Sequence, residues 1–123
     1  YNFGVRLLKL VRDAELRGQP VMPIETAIWR LTGELGEWFD IDAGRLYEGA
    51  RADLVIIDPS ALDESLASYQ EAPMEAFGGL QRMVNRGAAV DAVLINGRIA
   101  FQHGECARDL GQKHGYGQFL RSR

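Results

Sequence analysis

Apolar and polar positions alternate along the first part of the chain with the period of an α-helix. From Phe3 to Arg17 the apolar residues recur at steps of three and four, and they are Leu7, Leu8, Leu10, Val11 and Ala14. Most charged side chains of this stretch fall on the opposite side, so the pattern predicts one amphipathic helix. Gly18 is suited to cap its C-terminus, and Pro20 prevents continuation.

A second and a third helical segment follow. An apolar stripe with helical spacing predicts a helix from Pro23 to about Thr32, and it consists of Ile24, Ala27, Ile28 and Leu31. Pro23 is suited to the first helical position, where the missing N–H has no helical partner to lose. Thr32 can cap a short third turn that reaches Trp38 or Phe39.

From Asp40 onwards the pattern becomes that of β-strands. It predicts a short strand at Arg45–Tyr47 and a strand at Ala52–Ile57, whose unbroken apolar run is typical of a central strand covered on both faces. Asn96-Gly97 between two strand-like runs predicts a hairpin with a type I′ turn. The predicted partners across this turn are Leu94 with Ile99, Ala92 with Phe101 and Val90 with His103, which gives a largely apolar face.

The remaining segments carry weaker patterns. Met74, Phe77, Leu80 and Val84 fall near one helical face, which predicts a loop and one helix between the strands, at about 74–86. Residues 106–123 are rich in glycine and predict a tail that is frayed or ordered only on docking. Helices followed by strands place the chain in the α+β class.

Composition and charge exclude several classes of partner. The chain has 123 residues, of which 46% are hydrophobic and 25% charged, as expected for one globular unit. A net charge of −3 provides no basic field for nucleic acid or anionic lipid, and no apolar run approaches the roughly 20 residues that cross a bilayer. The single cysteine, Cys106, fits a reducing compartment, so we expect a cytoplasmic location. The first residue is Tyr1, not Met, which suggests a processed product or a piece of a longer protein.

The side chains that could bind a metal do not form a known zinc pattern. They are His103, Cys106 and His114, with Asp109 between them. An H-x2-C-x7-H spacing matches no usual structural zinc site, so we interpret these residues as structural bystanders. Gly115-Tyr116-Gly117 lacks the Lys-Ser/Thr sequel of a phosphate-binding loop and is interpreted as flexible tail.

Acidic and aromatic residues are the other candidates for chemistry. Asp40 with Asp42, and Asp63 with Glu64, could act as paired carboxylates, but their positions beside glycine and proline favour surface or helix-capping roles. Trp29 and Trp38 are interpreted as interface or core aromatics. We therefore assign no catalytic, cofactor-binding or metal-ligating residue in this chain.

Three segments, in their order, carry a resemblance to a known superfamily: "PIETAIWRLTGELGEWFDI", "DAGRLYEGARADLVIIDP" and "VDAVLINGRIAFQHGE". The most specific parts are the spacing from Thr32 to Gly44, the Gly49-x-x-Ala52-Asp53-Leu54-Val55 stretch and the Val93–Arg98 hairpin. Together they resemble the C-terminal region of the amidohydrolase superfamily. Within it, "FGVRLLKLVRD", "DPSALDESLASYQEAP" and "GYGQFLR" look most like the N-acyl-D-amino-acid deacylases, or D-aminoacylases.

The resemblance implies a longer protein with a (β/α)8 TIM barrel, in which zinc activates water for attack on an amide carbonyl. In the family the metal ligands and the catalytic aspartate come from barrel strands that would precede Tyr1, so none is carried onto this chain. The implied division is 1–42 as barrel-closing helices, 43–105 as part of a small β-sandwich with the helical insertion at about 74–86, and 106–123 as the tail.

The implied function is that of a non-catalytic C-terminal part, inactive when isolated, of a metal-dependent amidohydrolase. Its partners would be the rest of the longer chain, namely the barrel and N-terminal strands of the sandwich. Without them, unpaired strand edges and apolar faces favour a homo-oligomer. The alternative is a stand-alone structural or assembly module without catalytic activity.

Overall fold

The computed structural model describes residues 2–75, 78–84 and 88–122, and it confirms the α+β class. The helices are α1 (Phe3–Leu16), α2 (Ile24–Leu31) and α3 (Gly33–Trp38). The strands are β1 (Leu54–Ile57), β2 (Gln70–Met74), β3 (Leu80–Val84), β4 (Val90–Ile95), β5 (Arg98–Gln102) and β6 (Glu105–Cys106). Two short 3₁₀ helices, Pro59–Ala61 and Glu64–Ala67, lie between β1 and β2. The predicted division at residues 42 and 105 stays a prediction.

The first helix ends at the predicted glycine. Gly18 has a φ of 70°, and the N–H groups of Gly18 and Gln19 donate to the carbonyls of Glu15 and Ala14, at 2.9 Å in each case. This pair of bonds is the Schellman arrangement, which needs a left-handed residue and therefore favours glycine. The predicted helix and its cap are confirmed. None of the helices in the described ranges is long and apolar enough to cross a membrane.

The second and third helices meet at Thr32. Pro23 precedes α2 with an extended ψ of 146° and does not occupy the first helical position. The Thr32 hydroxyl donates to the carbonyl of Ile28 at 2.8 Å and makes no capping bond to α3. The predicted third helical turn is confirmed. The predicted side-chain cap is wrong, because this backward bond turns the oxygen away from the first N–H groups of α3.

The main sheet has the strand order β1-β4-β5-β6, and every neighbouring pair is antiparallel. β1 is therefore an edge strand in the described part of the chain, and Val55 on it is 57% exposed. Within the described residues, the prediction of a central strand covered on both faces is wrong. An apolar run indicates that a strand favours burial, but it does not indicate which segment provides the cover.

The hairpin of β4 and β5 has the predicted turn. Asn96 and Gly97 have φ values of 51° and 77°, the two positive angles that a type I′ turn requires. Leu94 pairs with Ile99, as predicted, but a bulge follows between Val93 and Leu94. A bulge places two residues of one strand opposite one residue of the other, so it shifts all pairs beyond it.

Beyond the bulge the predicted register is wrong. Ala92 pairs with Gln102 and not with Phe101, and the same shift carries Val90 out of alignment with His103. The shift also changes which side chains share a face. The two most buried residues of this hairpin are alanines, Ala92 and Ala100. The sequence pattern has period two and contains no signal for one inserted residue.

The helix predicted at about 74–86 is wrong for the described residues, because they form a hairpin. β2 and β3 pair from Gln70 with Val84 to Met74 with Leu80. Gly78 and Gly79 precede β3 with φ values of 65° and 78°, which a right-handed helix does not accommodate and glycine adopts at little cost. Residue 77, which belonged to the predicted stripe, lies outside the described residues.

The core lies between the helices and the segment that follows β1. Its buried members are Leu8, Val11, Ala27, Leu62, Leu66 and Ala89. Arg12 joins the same parts, since its guanidinium donates to the carbonyl of Pro59 and, at 2.6 Å, to that of Leu62. Leu10, which belongs to the predicted apolar stripe of α1, is exposed instead. The helix therefore has apolar side chains that the described chain leaves uncovered.

Candidate functional site

Residues 39–47 form a loop that lies directly against the backbone of α3. A Cβ atom on Gly36 would overlap the carbonyl oxygen of Ala43, and a Cβ atom on Gly44 would overlap that of Thr32. Gly44 also has a φ of 83°, so glycine is required twice over at this position. The predicted strand at Arg45–Tyr47 does not form, because this stretch pairs with no strand among the described residues.

A polar cleft of about 340 Å³ lies between α3, this loop and Arg51. The Arg45 guanidinium forms an ion pair with Glu37, and the Tyr47 hydroxyl donates to Asp42 at 3.3 Å. None of the described residues that line the cleft is serine, cysteine, lysine or histidine, the side chains that most often act as nucleophiles. Its charged lining consists of three carboxylates, Glu37, Asp40 and Asp42, and two guanidinium groups, Arg45 and Arg51.

Four large side chains of this region face solvent, and we call them the loop surface: Trp38, Phe39, Leu46 and Tyr47. Trp38 is 79% exposed and Leu46 is 78% exposed. The rings of Trp38 and Phe39 stack with their centroids 6.0 Å apart. Of the two predicted roles for Trp38, interface or core, its exposure excludes the core within the described structure. Large apolar side chains grouped at the surface are typical of contact sites.

The predicted acidic candidates occupy two different places. Asp40 and Asp42 line the cleft, whereas Asp63 accepts a hydrogen bond from the N–H of Ser65 at 2.8 Å and caps a 3₁₀ helix. The hydrogen bonds from the Ser65 side chain and backbone lower the pKa of Asp63. Glu64 pairs with Lys9 at 2.7 Å. The capping and surface roles predicted for this second pair are confirmed, and the two pairs do not form one site.

The metal-compatible residues are spread along β6 and the tail. His103 lies in the turn before β6 with a φ of 52°, Cys106 is exposed on β6, and His114 is exposed in the tail. Within the ranges that the structure describes, no three His, Cys, Asp or Glu side chains come together as a group that could hold a metal ion. Asp109 instead bonds to a tyrosine. The interpretation of these residues as bystanders stays a prediction.

The glycine-rich tail is held by a tyrosine. Tyr116 is only 8% exposed, its hydroxyl donates to Asp109 at 2.6 Å, and the Arg98 guanidinium lies 4.3 Å from the centre of its ring. Interpreting Gly115-Tyr116-Gly117 as flexible tail is therefore wrong, because a cation–π contact and a charge-assisted hydrogen bond fix the tyrosine. The hydrogen bond from Tyr116 lowers the pKa of Asp109, and the same bond raises the pKa of Tyr116.

These two pKa shifts predict a pH window for the tail contact. The lowered pKa of Asp109 gives stabilisation that is lost as pH falls below about 3.9, the ordinary Asp value, and through the folded pKa. The raised pKa of Tyr116 gives stabilisation that is lost as pH rises above about 10.

Between these two pH limits, we expect Tyr116→Phe to make tryptic cleavage after Lys113 severalfold faster, because the tail loses its hydrogen bond. Tyr69→Phe is the matched control and should leave the cleavage rate unchanged. Equal rates for the two variants would contradict the proposed contact.

Sequence reasoning missed both the anchored loop and the tail contact. Gly36 and Gly44 are eight positions apart, and only the fold brings each of them against a carbonyl group. Tyr116 stands between two glycines, which is typical of a flexible segment, and its partner Arg98 is distant in sequence. The available signal was limited to the paired glycines around a helix end, a pattern that also occurs in ordinary turns.

In comparison with known proteins, nearly the whole chain matches a small part of much longer relatives. An uncharacterized protein of Mycobacterium tuberculosis (strain ATCC 25618 / H37Rv) is 50% identical over 123 residues, 99% of this chain and 20% of that protein. An uncharacterized protein of Mycobacterium bovis (strain ATCC BAA-935 / AF2122/97) gives the same values. The chain thus spans about a fifth of the length of these relatives.

One relative has a named activity. A D-aminoacylase of Alcaligenes xylosoxydans xylosoxydans is 35% identical over 71 residues, 57% of this chain and 14% of that enzyme. This partial similarity agrees with the resemblance found in the sequence motifs. No family model matches the chain, and no solved structure matches it.

Proposed function

We propose that this chain is the non-catalytic C-terminal part of a longer, metal-dependent amidohydrolase that hydrolyses the amide bond of N-acyl D-amino acids or a related amide. The observation that carries the proposal is the 35% identity to a D-aminoacylase over 71 residues. The 50% identity to the mycobacterial relatives supports a longer polypeptide, because this chain matches only 20% of the length of each of them.

The surface of the structure supports a role as part of a larger body. Large apolar side chains are exposed on α1, on β1, on the loop surface and in the tail, and Phe3, Leu10, Val55 and Phe119 are examples. Single exposed apolar residues are normal on any protein. Exposure on four separate elements, together with an unpaired edge at β1, is expected of a segment whose neighbours lie in the remaining polypeptide.

The zinc implied by the resemblance does not fit the described residues of this chain. No suitable group of His, Cys, Asp or Glu side chains is assembled there, and a catalytic zinc site uses three protein ligands with one open position. We therefore place the metal and the reacting groups in the remaining polypeptide. The chain would contribute stability and packing to that enzyme and no ligand to its metal.

The proposal predicts activity in the longer protein and none in the 123-residue chain. The gene product, expressed from its natural start codon, should release free amino acid from N-acetyl-D-amino acids. A chelator should abolish the release, and added zinc should restore it. The 123-residue chain, assayed with the same substrates and zinc, should release amino acid at the rate of buffer, since its described residues assemble no metal site. N-acetyl-L-amino acids serve as the stereochemical control.

Two outcomes would contradict the proposal. One is a long gene product that folds, binds metal and cleaves none of the N-acyl amino acids. The other is turnover by the 123-residue chain that survives repurification and disappears in His103→Ala or His114→Ala. That second result would mean that His103 or His114 binds the metal.

A further inference from the structure

We propose that the loop surface is the place where this chain docks on a basic, apolar surface of the remaining polypeptide. The inference rests on the proposed function in one respect, that the chain is part of a longer protein. It adds the position of the contact and the chemistry of the partner surface, neither of which follows from amide hydrolysis. Four observations support it: the exposure of the side chains, the close packing of the loop on α3, the charge of the surrounding residues and the length of the mycobacterial relatives.

The exposed side chains are of the kind that anchors interfaces. Trp38, Phe39, Leu46 and Tyr47 are each more than half exposed. Tryptophan and tyrosine are enriched among the residues that contribute most to binding, because they bury a large area and lose little rotamer freedom. Trp38, the last residue of α3, is more exposed than Trp29 on α2, so the loop surface presents more tryptophan area to a partner than α2 does.

The loop is also packed closely on α3 before any partner binds. The close approach of Gly36 to Ala43 and of Gly44 to Thr32 leaves no room for the loop to move towards α3. The Arg45–Glu37 ion pair joins the loop to α3, and the bond from Tyr47 to Asp42 joins two positions within the loop. A surface that is ordered in advance loses less conformational entropy on docking.

The charge around the loop surface defines the partner. Residues 34–48 contain five carboxylates and one arginine, and the carboxylates belong to Glu34, Glu37, Asp40, Asp42 and Glu48. Arg45 pairs with Glu37, and Arg51, which also lines the cleft, lies 3.6 Å from Asp53. Carboxylates therefore outnumber guanidinium groups around the rim of the loop surface. Complementary potentials stabilise an interface and like charges oppose it. The surface that covers Trp38 should therefore supply lysine or arginine around an apolar centre.

The length of the relatives identifies the occupant as the remaining polypeptide. The chain accounts for 20% of the mycobacterial proteins that it matches, so most of such a protein lies outside the structure. A second copy of this chain fits less well. A symmetric contact would bring the same patch from each copy together, and the acidic rims would repel each other.

Hydroxyl-radical footprinting of the full-length gene product tests the inference at single residues. The modification rates of Trp38 and Leu46, read by mass spectrometry, should be about an order of magnitude lower in the full-length protein than in the 123-residue chain, because central interface side chains are fully desolvated. The chain is measured at a low and a high concentration, so that contact between copies is detected separately.

A pair of variants of the full-length protein tests the charge of the partner. Asp40→Asn with Asp42→Asn removes two charges from the rim at nearly constant shape, and Asn tolerates the positive φ of residue 40. This variant should raise the modification rate of Trp38. The matched control, Asp91→Asn with Glu105→Gln, removes two exposed charges from the sheet and should leave that rate unchanged.

Three results would overturn the inference. Equal modification of Trp38 and Leu46 in the full-length protein and in the dilute chain would mean that nothing covers the loop surface. Protection in the concentrated chain that equals the protection in the full-length protein would assign the surface to a second copy. Equal effects of the two variant pairs would contradict a basic partner. The footprint does not depend on catalytic turnover. An active enzyme with an exposed Trp38 would therefore overturn only the docking proposal. An inactive protein with a shielded Trp38 would overturn only the proposed activity.

Discussion

Gly44→Ala is expected to lower the free energy of unfolding of the 123-residue chain by about 2–5 kcal/mol, the sum of a left-handed backbone cost and an overpacking cost. Gly44 has a φ of 83°, where a Cβ atom is disfavoured. The same Cβ would overlap the carbonyl oxygen of Thr32, which is backbone and cannot rotate away. Either the loop leaves α3 or the helix end distorts. Urea denaturation followed by circular dichroism measures the change.

Gly49→Ala is the matched control for this prediction. Gly49 has a φ of 86°, and a Cβ atom there would have no neighbour within 4 Å. It therefore tests the backbone cost alone, which should be about 1–2 kcal/mol. Equal destabilisation by the two variants would mean that the loop does not lie against α3. The claim that the loop packs closely on α3, which would order the loop surface before docking, would then be contradicted.

Leu8→Ala is expected to destabilise the same chain by about 2–5 kcal/mol, the usual range for truncation of a buried leucine. Leu8 is 5% exposed and lies in the buried cluster between α1, α2 and the segment after β1. The truncation removes buried methyl groups and leaves a cavity that the surrounding side chains can fill only in part. A domain of ordinary stability could lose much of its native population through this one change.

Leu10→Ala on the same helix is the matched control, because it makes the same chemical change at an exposed position. Leu10 is 54% exposed, so its truncation should change the stability of the 123-residue chain by less than about 0.5 kcal/mol. Both substitutions alter helix propensity equally. The difference between them therefore reports burial alone. Equal losses would mean that the isolated chain covers the outer side of α1, for example by forming the homo-oligomer that the sequence predicts.

Several features of this fold follow from short stretches of sequence. The period of apolar residues determines α1 and α2, Gly18 determines where α1 ends, and Asn96-Gly97 determines the turn between β4 and β5. In each case the decisive interaction lies within a few residues, because helix periodicity and the φ preference of a turn residue are local properties. The α+β class follows from the order of these local patterns.

The candidate site was only partly accessible to the same reasoning. The sequence favours surface or capping roles for Asp40 and Asp42, and the fold places both at a cleft; for Trp38 it leaves an interface role and a core role open. The choice between these roles depends on exposure, which is a property of the whole packed chain. The zinc interpretation of His103, Cys106 and His114 was rejected on spacing, and the described residues assemble no metal group.

Tertiary structure alone decided which segments meet. The apolar run of β1 lies at an edge and not at the centre of the sheet, the segment near residue 80 pairs with β2 and does not form a helix, and Tyr116 is buried under Arg98 and not free in the tail. Each of these outcomes depends on partners distant in sequence, and a local pattern specifies only that a segment favours burial or extension. The free energy that selects one partner over another comes from long-range packing and pairing, so it is absent from any window of a few residues.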